Sequence, residues 1–405
     1  MDQATNDRIL AGMQFENDRE APPPGFPALP RVPAGRYLDP AFLALEREAM
    51  WKSSWLYAIH ADEVPEVGSY RLWERNGSPI LIVRVADKEF RAYYNTCAHR
   101  GAPLVQDASG KKKLFVCPYH AWSYDLQGKL KAVRDPRDFP DLDMNCYGLT
   151  SVHCATFGPW IFINEADDPP PLLESIAPFP EHWSSLDVDD MRHIHSSSYE
   201  VPCNVKVLLD AFMESYHIAS IHRQTVNRFL NHRGTYIELY PHGNMLMCTP
   251  QKREDWEDPG ARGMARIPTA TMVQRVHNPS CHFFPNLVAP VSDSGVPFLV
   301  FWPKTDGSMI IDSHWFGPTA SKDDPMWQTR IDNWARILDE DLQFAGDIQK
   351  SMESGGFQGL ALSYQERRIY YWHEEVDRRI GPERVPSELR MRPMLDDYVR
   401  PTNGA

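Results

Sequence analysis

The sequence contains no run of about 18 consecutive apolar residues, so it offers no candidate for a membrane-spanning helix. It also has no excess of positive charge, because 42 Lys and Arg residues face 55 Asp and Glu residues, a formal net charge of −13. This balance argues against binding to nucleic acid or to an anionic membrane surface. The N-terminal stretch MDQATNDRIL lacks a basic segment followed by an apolar core, and no secretory signal is expected.

Cysteine is scarce as well, with seven residues in a chain of 405. A scattered, odd-numbered set argues against a disulfide framework and is typical of free thiols in a reducing cytosol. We therefore expect a cytoplasmic protein. The length leaves room for two or three domains, and 42% hydrophobic with 24% charged residues is typical of a globular chain.

Two of the cysteines belong to a repeated Cys–His pattern, in which His99 follows Cys97 and His120 follows Cys117. Two thiolates and two imidazoles are the ligands of a Rieske [2Fe–2S] cluster, where two histidines replace two cysteines on one iron. A structural zinc site is the alternative, because the same four residues suit tetrahedral zinc. Zinc sites usually pair Cys with Cys and His with His, so the mixed pairing favours the cluster.

The stretch resembles the Rieske family, including Arg100 and Gly101 after the first His and Trp122 after the second. In the respiratory members, extra cysteines near the two loops form a disulfide that accompanies a high potential. Ala102 and Tyr119 occupy the matching places here. The resemblance therefore implies a low-potential centre, toward about −150 mV.

The sequence up to residue 165 predicts two structural parts, an N-terminal arm with a helix and a small β-domain. Residues 1–52 begin polar, then become Pro-rich, which predicts an extended arm, and end in a helix that Asp39 and Pro40 begin. Residues 53–165 form short strands, and Asn76–Gly77 indicates a hairpin turn. We expect a small antiparallel β Rieske domain with the Cys and His residues on its loops.

Residues 166–405 begin with a Pro-rich linker and predict a larger antiparallel sheet, the catalytic domain, to which residues 1–52 also belong. Helices are expected to flank this sheet near 204–219, near 325–353 and over 363–379. The overall fold class is therefore α+β. The predicted strands are YIELY, NMLMCT, MVQRV, CHFFPNLVAPV, PFLVFWP and MIIDSHWF.

A second group of metal ligands lies on the helix expected near 204–219. On an unbroken helix Asp210, Glu214 and His217 fall within about 60° of one another. His222 lies about 140° further round, so the two histidines converge only if the helix ends or bulges between them. The alternative is that the two histidines are unrelated residues.

Downstream of a Rieske motif, this pattern resembles the mononuclear iron motif of the Rieske non-haem iron oxygenases, of the aromatic ring-hydroxylating alpha (catalytic) subunit type. The resemblance covers residues from about 45 to 380. It implies that His217 and His222 bind Fe(II) together with a distant carboxylate, which leaves other positions open for O₂.

The third ligand is expected among the acidic residues of the helix near 325–353. The family places this Asp eight residues before a Gln, and Asp341 with Gln349 has that offset. Asp341 is therefore chosen, with Asp339 as its nearest rival. The candidates are Asp339, Glu340, Asp341 and Asp347.

The resemblance assigns Glu214 a connecting role instead of a metal bond. In the family, this acidic residue joins the first iron His, here His217, to a cluster His of the neighbouring subunit, here His120. That contact implies a ring, usually a homotrimer, or a hexamer when β-subunits are present. Asp210 is expected to support the same helix end, and simple capping or solvation is an equal alternative.

The implied function is that of a Rieske-type oxygenase, the terminal component that uses NAD(P)H-derived electrons from a separate reductase, with or without a ferredoxin. The preferred reaction is mono- or cis-dihydroxylation of an aromatic or other bulky apolar substrate. Oxidative demethylation of an N- or O-methyl or quaternary amine substrate is the alternative. A Rieske electron-transfer protein without catalytic iron is the alternative from another class. Five residues that could line the substrate pocket, or be plain core, are Leu209, Phe212, Met213, Phe301 and Trp315.

Overall fold

The computed structural model describes residues 1–305 and 307–402, which divide into two compact units. The smaller unit is Lys52–Leu172. The larger unit joins Met1–Trp51 to the chain from Leu173 onward. Among the described residues, no helix is both long enough and apolar enough to cross a membrane.

Short antiparallel strands build the smaller unit. They are β1 (Leu56–His60), β2 (Ser69–Trp73), β3 (Ile80–Ala86), β4 (Glu89–Tyr94), β5 (Ser109–Lys111), β6 (Phe115–Val116), β7 (Ser123–Tyr124), β8 (Leu130–Ala132), β9 (Ser151–Phe157) and β10 (Trp160–Asn164). One sheet has the order β1-β10-β9-β4-β3-β2-β5, and the other has the order β6-β7-β8.

The hairpin predicted at Asn76–Gly77 joins β2 to β3, with Tyr70 opposite Val83. Gly77 takes a positive φ of 86°, which a glycine adopts without steric cost. The next turn leads into β4, and β4 runs directly to Cys97. The first ligand loop therefore begins where a central strand of the sheet ends.

The larger unit combines an antiparallel sheet with helices. The helices are α1 (Gln3–Asp18), α2 (Gly35–Leu38), α3 (Pro40–Glu46), α4 (Leu172–Ser175), which begins in the smaller unit, α5 (Phe179–His182), α6 (Val205–Ala211), α7 (Met272–Val276), α8 (Met326–Glu353) and α9 (Arg367–Ile380). The strands are β11 (Met191–Val201), β12 (Tyr236–Leu239), β13 (Met245–Thr249), β14 (Asn278–Phe283), β15 (Leu287–Pro290), β16 (Val296–Pro303) and β17 (Met309–Pro318), in the order β11-β17-β16-β15-β14-β13-β12.

Four predicted elements differ from the structure. The segment CHFFPNLVAPV contributes to two strands, β14 and β15, which pair antiparallel across a turn, instead of one strand. The polar start of the chain is helix α1 instead of an extended arm, and Asp2 caps it by accepting from the Thr5 amide at 2.7 Å. The segment MVQRV is helix α7 instead of a strand, because Thr271 and Gln274 form a capping box at its start. The helix expected near 204–219 ends at Ala211.

Helices α6 and α8 lie on one face of the larger sheet. Phe301 in β16 and Trp315 in β17 point to that face, because Phe301 pairs with Ile311 and alternate residues of a strand share a side. The ring of Phe212, directly after α6, lies 5.2 Å from that of Phe301. The ring of Trp334 in α8 lies 5.9 Å from that of Trp315. This face is therefore the one beneath the second group of metal ligands.

Candidate metal centres

Two loops of the smaller unit present the Cys–His pairs with the same backbone geometry. The Gly101 amide donates to the Cys97 carbonyl at 2.9 Å, and the Ala121 amide donates to the Cys117 carbonyl at 2.9 Å. Gly101 and Ala121 both take a left-handed conformation, with φ of 74° and 60°. The two loops therefore turn in the same way after each cysteine.

The loops bring all four predicted ligands together. The Nδ1 atoms of His99 and His120 lie 3.1 Å apart, and both rings are half-buried. Cys97 and Cys117 are buried beside each other. The Trp122 ring stacks on His99 with 4.7 Å between centroids. Two thiols on the inside and two imidazoles on the outside fit a [2Fe–2S] cluster whose outer iron binds both histidines.

Tyr124 adds a hydrogen bond to one of the thiols. Its hydroxyl lies 3.2 Å from Cys97 Sγ and accepts from the Ala98 amide at 3.1 Å. Burial raises the pKa of the Cys97 thiol, although the Tyr124 hydrogen bond lowers it. The positive charge of bound iron would offset this burial, because coordinating thiols are deprotonated.

The end of α6 positions the second group of residues. Asn204 caps the helix by accepting from the Lys206 amide at 2.9 Å, and the helix ends at Ala211. A 3₁₀ turn at Tyr216–Ala219 then carries His217. The helix therefore ends before both histidines, so Asp210 and His217 do not share the continuous helical face that the sequence analysis predicted. This break brings the rings of His217 and His222 to 5.0 Å between centroids.

Asp341, near the middle of α8, faces both histidines. Its Oδ1 atom lies 3.3 Å from His222 Nε2 and 3.7 Å from His217 Nε2. One ligand atom from each of the three residues lies within 4.8 Å of the others. Asp339, two residues earlier, is exposed. Two imidazoles and one carboxylate suit a non-haem Fe(II) site.

The remaining ring nitrogens contact two glutamates. His217 Nδ1 lies 2.5 Å from Glu214 Oε1, and His222 Nδ1 lies 2.7 Å from Glu340 Oε2. Burial disfavours the imidazolium, but the neighbouring carboxylates outweigh burial and raise the pKa of both histidines. With the Nδ1 protons donated to the glutamates, both Nε2 atoms can face a metal beside Asp341.

Sequence reasoning missed the role of Glu340, which it counted only as one of several possible ligands. Glu340 Oε2 also accepts from the Thr225 hydroxyl at 2.6 Å, so the carboxylate is held in place. A helix turns by about 100° per residue, so Glu340 and Asp341 approach the site from different directions. Glu214 is fixed likewise, since its Oε2 accepts from the amides of Tyr216 and His217.

Asp210 lies outside the three-residue group and ends a buried hydrogen-bond chain. Arg36 Nε donates to His373 Nδ1 at 3.1 Å, so His373 Nε2 carries the proton that it donates to Tyr37 at 2.9 Å. The Tyr37 hydroxyl donates to Asp210 Oδ2 at 2.6 Å. Burial raises the pKa of Asp210 to about 7, although Tyr37 and Lys206 lower it. Asp210 therefore supports the end of α6 through Tyr37.

The five expected pocket residues lie in different surroundings. Leu209 and Met213 are fully buried, whereas Phe212 is half-buried against Phe301. Trp315 packs with the first half of α8, and the Arg330 guanidinium lies over its ring at 5.2 Å. Phe212 and Phe301 are thus the two whose rings meet close to α6.

Comparisons with known proteins agree with this two-part organisation. Residues 54–148 match the model of the Rieske [2Fe-2S] domain. Residues 188–382 match the model of the ring hydroxylating alpha subunit (catalytic domain). Together the two models span most of the chain, and they correspond to the two compact units.

Curated relatives are named for oxygenases. The chain is 26% identical over 369 residues to the glycine betaine monooxygenase oxygenase subunit of Chromohalobacter salexigens, covering 81% of this chain and 80% of the relative. It is 31% identical over 224 residues to the chloroplastic choline monooxygenase of Beta vulgaris, covering 53% of this chain and 48% of the relative. The second alignment thus spans about half the length of that relative.

A solved structure shows the same fold. The crystal structure of the quaternary ammonium Rieske monooxygenase CntA in complex with substrate L-carnitine aligns with a TM-score of 0.72 at 20% identity. The alignment covers 89% of this chain and 99% of that one. With both family models matched and the fold shared, the chain belongs to the Rieske non-haem iron oxygenases, as a catalytic alpha subunit.

Proposed function

We propose that this protein is the oxygenase component of a Rieske monooxygenase that oxidises a quaternary ammonium compound. The convergence of His217, His222 and Asp341 carries the proposal, since their ligand atoms lie within 4.8 Å of one another in a chain that also has two Cys–His loops. A carrier that only transfers electrons has no need of this second site. Three protein ligands leave coordination positions open, as non-haem Fe(II) oxygenases require.

Cys97, His99, Cys117 and His120 are the proposed cluster ligands. They would hold a [2Fe–2S] cluster, which would supply one-electron transfer from NAD(P)H through a separate reductase or a ferredoxin. The half-buried rings of His99 and His120 support this role, because they leave the outer edge of the centre open to a partner. We propose a homotrimer, in which Glu214 connects His217 to His120 of the next subunit.

His217, His222 and Asp341 would hold ferrous iron, which when bound would supply the O₂ chemistry for inserting one oxygen atom into a substrate C–H bond. The chain's own residues prepare this site. Glu214 and Glu340 hold the Nδ1 protons, which fixes both ring orientations and leaves the Nε2 lone pairs for the metal. Thr225 holds the Glu340 carboxylate against His222.

The names of the relatives support a different substrate from the aromatic or bulky apolar compound that the sequence analysis preferred. Glycine betaine, choline and L-carnitine all carry a trimethylammonium group, so the oxidative demethylation alternative replaces the earlier preference. Hydroxylation of an N-methyl carbon consumes O₂, two electrons and two protons and yields water, and the hydroxylated carbon then leaves as formaldehyde. The half-buried ring of Phe212, directly after α6, is of the kind that attracts quaternary ammonium ions.

Product analysis tests this function. The purified protein, a competent Rieske reductase, NADH and O₂ are incubated with glycine betaine, L-carnitine, choline or naphthalene. We expect formaldehyde and a tertiary amine from at least one of the trimethylammonium compounds and no turnover of naphthalene. Oxidation of naphthalene without oxidation of any trimethylammonium compound would overturn the proposed substrate class.

Two carboxylates of α8 provide a matched test of the iron ligands. Asp341→Ala should keep the cluster spectrum, lose about one of roughly three irons per chain, and abolish turnover. Asp339→Ala should keep all the iron, because Asp339 is exposed. Iron analysis together with acid-labile sulfide measures both results. Loss of iron from Asp339→Ala instead would show that the ligand is misassigned by two residues.

A further inference from the structure

The small sheet β6-β7-β8 turns one face inward and the other face to solvent. Neighbouring residues of a strand point to opposite faces. Phe115 and Tyr124 pair with each other and are buried, so they define the inner face. Val116, Ser123 and Ala132 pair across the three strands and point the other way. Val116 is 50% exposed and Ala132 is also exposed, so this row, the outer face, is open to solvent.

The outer face lies close to both proposed cluster cysteines. Cys117 directly follows Val116 at the end of β6. Tyr124, on the inner face, has its hydroxyl 3.2 Å from Cys97 Sγ. A molecule on the outer face is therefore separated from the two cysteines by one sheet and the Tyr124 side chain.

This part of the smaller unit is positively charged, although the whole chain has a formal net charge of −13. Residues 111–134 contain six Lys and Arg residues and one acidic residue, Asp125. The Asp125 carboxylate is occupied, because it accepts from two backbone amides of the turn that follows it. Two of the six cations are paired, Lys111 with Glu66 and Arg134 with Asp135.

The other four cations are lysines whose charges the chain does not balance. All four are exposed, and none has an ion-pair partner within residues 1–305 and 307–402; they are Lys112, Lys113, Lys129 and Lys131. Lys113 lies two residues before β6, and Lys131 lies within β8. Strands β6 and β8 are the two edges of this sheet, so positive charge lies along both sides of the outer face.

An exposed apolar row between two positive edges suits a protein partner of opposite charge. Leu114, which is 44% exposed, extends the apolar surface beyond Val116. Short-lived complexes between redox proteins have small interfaces, in which a charged rim orients the partners around a less polar centre. The lysines attract an acidic surface from a distance of about 10 Å at physiological salt.

The electron supply decides which acidic protein fits. In the proposed homotrimer, His120 meets Glu214 of the next subunit, so that edge of the cluster site is covered. Two electrons must still arrive for every substrate molecule while the subunits stay assembled. The donor therefore needs a different surface close to the same ligands, and the outer face has this position.

We propose that the outer face docks an acidic electron-donor protein, with a flavin or an iron–sulfur cluster as its redox group. The inference rests on the proposed function and deepens it, because it names the surface through which electrons enter. In each encounter the donor is oxidised by one electron and the [2Fe–2S] site is reduced by one electron. Electrons thus enter at the sheet and leave at His120.

Stopped-flow mixing with the NADH-reduced reductase of the product assay tests this surface on the cluster-loaded protein without substrate. Bleaching of the cluster absorbance measures the rate constant of reduction. For the wild type, this rate constant should fall by at least about threefold between 50 and 300 mM salt, because salt screens the attraction. Ala132→Glu should lower it on the order of 10-fold at low salt, and Ala132→Lys should not lower it. The two new side chains are similar in length, so a purely steric effect acts on both variants alike.

A second pair of variants compares two exposed lysines. Lys131→Glu should lower the rate constant by about fivefold at low salt, because it reverses a charge beside the outer face. Lys88→Glu is the matched control and should change it by less than about 1.5-fold. Lys88 is exposed and lies before β4, nine residues ahead of Cys97. Dithionite should reduce all four variants within about twofold of the wild-type rate, which a damaged cluster site does not allow.

The outcomes separate this inference from the proposed function. If Ala132→Glu and Ala132→Lys slow the reductase equally, or if neither changes its rate, the docking surface is wrong while the proposed function stands. A lower sedimentation coefficient for Ala132→Glu with an unchanged reduction rate assigns the outer face to a contact between copies of the chain and also overturns the inference. If the predicted charge dependence is found but no trimethylammonium compound is oxidised, the proposed substrate class fails and the docking surface stands.

Discussion

At the scale of single residues, the candidate iron site depends on which nitrogen of each histidine carries a proton. Two glutamates decide this, Glu214 for His217 and Glu340 for His222. Both accept from Nδ1, so both Nε2 atoms turn toward Asp341. The two glutamates come from different segments of the chain, which means that the tautomers are set independently.

The first prediction concerns Glu340. Glu340→Ala should weaken iron binding by about 10- to 100-fold, the usual effect of removing a carboxylate behind a metal-bound histidine. Glu340→Gln should weaken it less, because the amide oxygen still accepts from His222 Nδ1. Asp347→Ala is the control, since Asp347 lies exposed on the same helix. Titration of the apo-protein with Fe(II) measures the affinities, and equal values for Glu340→Ala and wild type would contradict the role.

The second prediction concerns the buried carboxyl of Asp210. Burial raises its pKa to about 7 from an ordinary value of 3.8, although Tyr37 and Lys206 favour the carboxylate. The folded chain therefore keeps this proton to a higher pH than the unfolded chain does. Its contribution to stability is largest below about pH 4 and is lost as the pH rises to about 7.

Asp210→Asn removes this titration while the amide oxygen still accepts from Tyr37. Relative to wild type, the variant should therefore gain stability between pH 5 and pH 8, by about 3 kcal/mol of unfolding free energy. Urea unfolding of both proteins at the two pH values measures the difference. A constant difference between variant and wild type would show that Asp210 is ionised at both pH values.

At the scale of elements, the sequence predicted correctly those helices and strands whose hydrophobic pattern or turn sequence fits only one kind of element. Helix α8 and the β2–β3 hairpin follow the prediction, because one has a long helical pattern and the other has a specific turn sequence. The segment MVQRV was predicted as a strand and is a helix. Five residues of which three are apolar fit a strand as well as a helix. The capping box that Thr271 begins decided the outcome.

The candidate site was also predictable only in part, because only some of its residues form a local sequence pattern. Residue types and spacing predicted that the two Cys–His pairs lie together, and that His217 lies beside His222, because metal ligands form short patterns; the structure has both groups close together. The end of α6 at Ala211 carries no Gly or Pro signal, so the continuous helix was the simpler prediction. Glu340 lies against His222, a residue 118 positions away in the chain, and no local pattern reveals that contact.

The third prediction concerns the two ligand loops as elements. Ala121 has a φ of 60°, a conformation that costs a residue with a Cβ about 1–2 kcal/mol, and Gly101 occupies the same place in the other loop. Ala121→Gly should raise stability by about 0.5 kcal/mol, the balance between relieved strain and greater freedom of the unfolded chain. Gly101→Ala should lower it by about 0.5 kcal/mol, the same balance reversed, because a Cβ there meets no atom within 4 Å. Thermal loss of the cluster absorbance measures both, and shifts of the same sign would contradict the argument.

At the scale of the whole molecule, the two proposed metal centres lie in separate compact units. The Cys–His loops belong to Lys52–Leu172, and the proposed iron ligands belong to the larger unit. Electrons must therefore pass from one unit to another, either within a chain or between chains. In the proposed homotrimer the transfer is between chains, from His120 of one subunit through Glu214 to His217 of the next.

The last prediction tests that route by complementation. One chain carries Cys117→Ala, which removes a proposed cluster ligand but leaves the iron site intact. The other carries His222→Ala, which removes a proposed iron ligand but leaves the proposed cluster ligands intact. Neither variant alone should turn over substrate. Mixed oligomers, made by co-expression with two different affinity tags and purified through both, bring an intact cluster next to an intact iron site only across a subunit boundary.

Transfer between chains therefore predicts that the mixed oligomers regain about a third of the wild-type rate per chain, since a mixed trimer of either composition has one iron-bearing chain next to a donating cluster among its three chains. Adding Glu214→Ala to the Cys117→Ala chain should abolish the regained activity, because that chain's His217 loses its connection to the neighbouring cluster. Adding it to the His222→Ala chain should have no effect, because that chain has no iron to reduce. Mixed oligomers that are inactive, although each contains both an intact cluster and an intact iron site, would show that electrons pass within a single chain.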